Sequence, residues 1–83
     1  MNLLVDIGNA RIKWALQEAD KLQTGLPLVR HNKAFKDIAR PAWKDLAPPQ
    51  RVIVSNVAGL DYGKTVHTWI KRRWKIVPEF LTA

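Results

Sequence analysis

The sequence predicts an α/β domain on a mixed five-stranded sheet, with elements in the order β-β-β-α-β-α-β. Three observations carry that prediction. Residues 4–16 alternate apolar and polar on either side of Gly8-Asn9, two later segments repeat apolar residues at helical spacing, and a short apolar run, Val52-Ile53-Val54, lies between them.

The first stretch, LVDIGNARIKWAL, reads as two strands joined by a tight turn at Gly8-Asn9, since both residues tolerate the positive φ of hairpin turns. A two-residue loop there sets Ile7 opposite Ala10, Asp6 opposite Arg11, Val5 opposite Ile12, Leu4 opposite Lys13 and Leu3 opposite Trp14. Leu3, Val5, Ile7, Ala10, Ile12 and Trp14 then share an apolar face, and Leu4, Asp6, Arg11, Lys13 and Ala15 share the charged one. A four-residue loop keeps these faces, whereas a three-residue loop mixes them, because a one-residue slip flips every side chain. An even loop is therefore expected.

Residues 17–22 hold Glu18, Asp20 and Lys21 and read as a turn. A third strand follows within residues 22–30, where Gly25 and Pro27 point to an irregular strand in two pieces. Asn32 is placed to cap a helix whose stripe is Phe35, Ile38, Ala39, Ala42, Trp43 and Leu46. Pro41 should kink or split that helix, and Ala47-Pro48-Pro49 should end it. The run within residues 51–57 predicts a strand covered on both faces, ending in the small polar residues Ser55 and Asn56. Asp61 is placed to cap a second helix, residues 61–75, with Val66, Trp69, Ile70 and Trp74 as its stripe. Ile76-Val77 opens a last strand.

Size and composition narrow the function classes. The 83 residues make one small domain, and 47% hydrophobic content is that of a globular protein. The lack of cysteine removes disulfides, thiolate metal sites and thiol nucleophiles, and fits a cytoplasmic location. Asp6 breaks the N-terminal apolar run too early for a signal peptide, and no stretch approaches the roughly 20 apolar residues of a membrane span. A net charge of +7 favours anionic partners: nucleotide, nucleic acid or an acidic surface. Lys64, Lys71, Arg72 and Lys75 form a basic face on the second helix, suited either to nucleic-acid phosphates or simply to water. His31 and His67 have no partner at metal-ligand spacing.

Asp6 is the odd residue, a carboxylate inside an apolar strand that needs a partner, a cation or an open cleft. Gly8 follows it, and Arg11 and Lys13 put positive charge on its face. Acid, glycine turn and basic residues together suit a phosphate bound with its magnesium: carboxylate to the metal or its waters, turn amides to phosphate oxygens, lysine to the remaining charge. A solvated face with an Asp–Arg cross-strand pair accounts for the same residues. Ser55 and Asn56 stand between two readings likewise. They lie at a strand's C-terminal edge, where open α/β sheets place ligands, or they cap the following helix.

Asp6-Ile7-Gly8-Asn9, followed by Ile12-Lys13-Trp14, resembles the N-terminus of type III pantothenate kinases, a family that includes the Bvg accessory factors. RVIVSNVAG, residues 51–59, is similar to the family's second block. The resemblance implies a ribonuclease-H-like (actin-like ATPase) half-domain, the N-terminal lobe of a two-lobed, dimeric kinase. Such a kinase moves the γ-phosphoryl of ATP onto pantothenate, the first step of coenzyme A synthesis, with a divalent metal such as magnesium and potassium or ammonium. Carried onto this chain, Asp6 organises metal and phosphates, Gly8 permits close approach and Asn9 donates to a phosphate oxygen. Ala10, Arg11 and Lys13 complete the loop, and Ser55 and Asn56 lie near the substrate cleft. Ala10 stands where the family usually has Thr or Ser, so a hydroxyl is missing. The family's glycine-rich segment and the Asp-Arg pair that supplies its catalytic base have no counterpart here, so the resemblance implies a lobe inactive by itself. A regulatory protein linked to transcription, binding nucleotide, DNA or protein without turnover, is the alternative it leaves.

Overall fold

A computed structural model describes residues 1–81. β1 (Asn2–Ile7) is the centre of the sheet, antiparallel to β2 (Arg11–Glu18) and parallel to β5 (Arg51–Asn56). Beyond β2 lie β3 (Lys21–Thr24) and β4 (Leu28–Val29), both antiparallel to it, and beyond β5 lies β6 (Glu79–Phe80), parallel. The path across the sheet is β3-β2-β1-β5-β6, with β4 also on β2. Two helices, α1 (Phe35–Trp43) and α2 (Leu60–Trp74), precede and follow β5.

Both helices cover the same side. Leu3, Val5, Ile7, Ile12, Val52 and Val54 project from the sheet onto Phe35, Ile38, Ala39 and Trp43 of α1 and Val66, Ile70 and Trp74 of α2. Aromatic rings cement the helix layer. Trp69 meets Trp74 at 5.5 Å between centroids and 89° between planes, and Phe35 at 5.6 Å and 87°. Such edge-to-face pairs each add roughly 0.5–1.5 kcal/mol beyond the area they bury.

Several expectations change. The hairpin register is Ile7↔Ile12, Asp6↔Lys13, Val5↔Trp14 and Leu3↔Leu16, two residues further on than the tight Gly8-Asn9 turn predicts. Asp6 therefore faces Lys13 and not Arg11. An even shift keeps every side chain on its face, so the apolar and charged sides survive. The turn closes through Gly8 N to Arg11 O at 2.9 Å, with Asn9 and Ala10 at its tip. Neither Gly8 nor Asn9 has positive φ, and Ala10 is exposed, not on the apolar face. β5 is covered on one side only: Val52 and Val54 are buried, while Ile53 is half-buried on the helix-free face.

At the helices, neither Asn32 nor Asp61 caps. α1 starts after Ala34 and α2 after Gly59, both without a side-chain cap bond, and Asn32 lies in left-handed backbone at φ 61°. Pro41 leaves α1 unbroken: it is exposed, so the bond it cannot donate is lost on the solvent side. α1 ends at Trp43, before the Ala47-Pro48-Pro49 stop, and the last strand starts at Glu79, after Ile76-Val77. Residues 17–22 are mostly strand, with the turn confined to Ala19-Asp20.

The third strand does come in two pieces, and Trp14 is the reason. Its indole Nε1 donates to Leu26 O at 2.9 Å, its carbonyl accepts from Gly25 N at 3.0 Å, and its ring occupies the space a Cβ at Gly25 would need. The chain steps around that ring before rejoining β2 at Leu28.

Candidate functional site

The helix-free face carries the site. Successive residues of a strand point to opposite sides, so registered partners share one. The pairs Asp6↔Lys13 and Asp6↔Ser55 put Lys13, Asp6 and Ser55 in one row across β2, β1 and β5. Below that row lies an apolar one, Ala15, Leu4 and Ile53, from the pairs Leu4↔Ala15 and Leu4↔Ile53. These six residues line a shallow cavity of about 330 Å³. Asp6 is exposed and carries no side-chain hydrogen bond or ion pair among the described residues. The expected cross-strand ion pair is thus not formed with either base: Arg11 sits opposite Val29, and Lys13 is a neighbour without a bond.

The β1–β2 turn rises at the end of this row. The amides of Asn9 and Ala10, both exposed, have no partner among the described residues, which leaves two adjacent donors at the tip. The turn is held from the helical side by Arg30, whose Nη1 donates to Gly8 O at 2.8 Å and to Asn9 O at 3.0 Å. Motif reading missed Arg30, because it lies 22 residues from Gly8 and is one of 14 Lys and Arg residues.

Ser55 and Asn56 part company. Ser55 stays in the row beside Asp6. Asn56 is used inside the β5–α2 turn, where its Nδ2 donates to Gly59 O at 3.0 Å and its Oδ1 accepts from Ala58 N at 2.9 Å. Gly63 makes room for this, since a Cβ there would come within 2.9 Å of Asn56 Nδ2. The turn docks onto β1 through Val57 N to Ile7 O at 3.0 Å, which seats the two blocks side by side.

Among the described residues, no cluster of three or more His, Cys, Asp or Glu could hold a metal by itself. One exposed carboxylate beside a hydroxyl and two turn amides fits magnesium carried by phosphates, because that ion keeps several waters and takes one or two protein carboxylates. A larger groove of about 750 Å³ runs between the helices, ringed by Lys36, Arg40, Lys44, Lys64, Arg72 and Arg73. Among the described residues no acid or histidine lines it, so it offers charge without a group for proton transfer.

The family model for type III pantothenate kinase matches residues 2–83. The type III pantothenate kinase of Nitrosococcus oceani is 41% identical over 83 residues, 100% of this chain and 31% of that protein. The one from Burkholderia multivorans is 38% identical over 77 residues, 93% of this chain and 29% of that protein. The Aquifex aeolicus PPX-GPPA enzyme overlaps 98% of this chain and 35% of its own, at a TM-score of 0.41 and 13% identity, too loose to define a fold. The chain thus spans about 30% of the length of the curated relatives it matches. With the match running through both the hairpin and the β5 block, the chain belongs to the type III pantothenate kinase family.

Proposed function

We propose that this chain is the phosphate-binding lobe of an ATP-dependent kinase acting on pantothenate, folded as a ribonuclease-H-like half-domain of the actin-like kind. The observation that carries it is the row of exposed Lys13, exposed Asp6 and half-buried Ser55 beneath a turn whose two tip amides have no partner among the described residues. Asp6 would hold magnesium through its waters, and the Asn9 and Ala10 amides would meet phosphate oxygens. Lys13 would offset phosphate charge, and Ser55 would orient a water of the metal. The metal, when bound, supplies neutralisation of the charge that builds on the phosphates. Phosphoryl transfer depends mainly on such positioning and charge stabilisation. The acceptor pocket and catalytic base belong, in this reading, to the further length that the relatives have.

The test joins this chain to the remaining length of the Nitrosococcus oceani relative and measures ATP-dependent phosphorylation of pantothenate with magnesium and potassium. Turnover is expected, with a loss of about a hundredfold or more in Asp6→Asn, the scale on which single electrostatic groups matter in catalysis. Asp6→Asn should leave the melting temperature nearly unchanged, since Asp6 is exposed and unpaired among the described residues. An active hybrid indifferent to Asp6→Asn would sink the assignment.

A further inference from the structure

Arg30 lies one residue beyond β4, outside both motif blocks, yet it shapes the turn. Its Nη1 divides its hydrogens between Gly8 O and Asn9 O, and its own amide donates to Ala10 O at 3.0 Å. Three successive turn carbonyls thus point at one residue. No peptide among the described residues is cis. In a trans peptide, C=O and N–H point in opposite directions. Gly8 O shares its peptide with Asn9 N–H, and Asn9 O shares its peptide with Ala10 N–H. Gripping the two carbonyls therefore turns the two amides away from Arg30, toward solvent. The positive charge behind the carbonyls also polarises both peptides in the direction that strengthens their N–H groups as donors.

The guanidinium is fixed in turn by α2. It lies 4.0 Å from the centroid of the Tyr62 ring, a cation–π contact. Its Nε is buried without a partner among the described residues. A guanidinium that grips two carbonyls through Nη1, lies on an aromatic ring and keeps a buried Nε is not held as a solvated surface arginine is.

We propose that Arg30 is a positioning residue of the phosphate-binding turn, aiming the Asn9 and Ala10 amides at the phosphates of a nucleotide. The assignment rests on the phosphate reading of this turn. A lysine in its place keeps the charge but lacks the planar group that lies on Tyr62 and so fixes where the donating nitrogen sits.

The experiment is titration of the nitrogen-15-labelled chain with magnesium ATP, following the Asn9 and Ala10 amide resonances. The chain is compared with Arg30→Lys, Arg30→Met and Tyr62→Leu. Both amides should shift saturably in the unaltered chain. Loss of one or two oriented hydrogen bonds should weaken binding by about tenfold in Arg30→Lys and more in Arg30→Met. The Trp43 indole resonance reports that the core is intact in each variant. Tyr62→Leu, which leaves Arg30 and its charge in place, should weaken binding by a smaller factor and so stands in if the arginine variants fail to fold. Unchanged affinity and amide shifts in the folded variants would overturn the role of Arg30 while leaving the phosphate reading in place. Silent Asn9 and Ala10 amides in the unaltered chain would overturn the phosphate reading itself, and this role with it.

Discussion

Ala10 sits exposed at the tip of the β1–β2 turn, its carbonyl taken by the Arg30 amide and its own N–H without a partner among the described residues. A hydroxyl added there touches nothing in the core. Ala10→Ser should shift stability by no more than about 0.5 kcal/mol, as exposed substitutions usually do. Placed beside two unpartnered amides, the new hydroxyl should tighten magnesium ATP by roughly fivefold, the value of one net hydrogen bond. Calorimetric titration of both chains decides it; equal affinities would mean that the side chain points away from the phosphates. At this scale the acid, the turn and Lys13 were visible in the sequence because they lie within eight residues of one another. Arg30 was not, because its partners are backbone carbonyls far along the chain, and a carbonyl has no signature in sequence.

At the scale of elements, α1 tolerates a proline that propensity argues against. Pro41 is the seventh residue of the helix and lies on its exposed side, so one bond is missing and its ring crowds the preceding turn. Pro41→Ala should therefore raise the urea midpoint at constant slope, with a gain of about 1–3 kcal/mol after the added freedom of the unfolded chain is set against it. A loss of stability would show that proline's rigidity outweighs the missing bond. The helix persists because Phe35, Ile38, Ala39 and Trp43 are buried against the sheet, and packing of an amphipathic face supplies most helical stability in proteins. The cap assignments failed for a related reason. Asn32 and Asp61 are good capping types, but the chain enters each helix from a loop whose path is set elsewhere. Asn32 lies in left-handed backbone, and Gly59 at φ 103° opens α2 directly.

Across the whole molecule, one side of the sheet is thick with aromatic and aliphatic packing and the other is open. β6 is tied to that open sheet by Arg51, whose Nε and Nη2 meet the two carboxylate oxygens of Glu79 at 2.8 Å and 2.6 Å. The hydrogen bonds from Arg51 hold the Glu79 carboxyl below its ordinary 4.5. A lowered carboxylate value stabilises the folded chain above that ordinary value, and the contribution fades as pH falls through the lowered one. Glu79→Gln should accordingly melt slightly lower than the unaltered chain at pH 7, and the two curves should converge as the pH falls below the carboxyl's ordinary value and through its lowered one. Because the pair is exposed, the separation is expected to be small and to shrink in high salt. A gap that persists unchanged at low pH would assign the effect of Glu79 to packing.

What the sequence by itself determined is local and periodic. The α/β class, the two faces of the hairpin, the split third strand and the cluster around Asp6 all follow from alternation, helical spacing and turn residues within short windows. The hairpin faces survived a wrong register because parity, not pairing, decides which side a residue occupies. The tertiary structure alone decided which surface is covered. Val52-Ile53-Val54 reads as a strand buried on both sides, yet both helices pack on Val52 and Val54, and Ile53 joins the open face with Leu4 and Ser55. It also decided that Ser55 stands beside Asp6, and that Arg30 reaches the Gly8-Asn9 turn while lying on Tyr62. These are relations between segments distant along the chain, and only the folded backbone brings them within hydrogen-bonding distance.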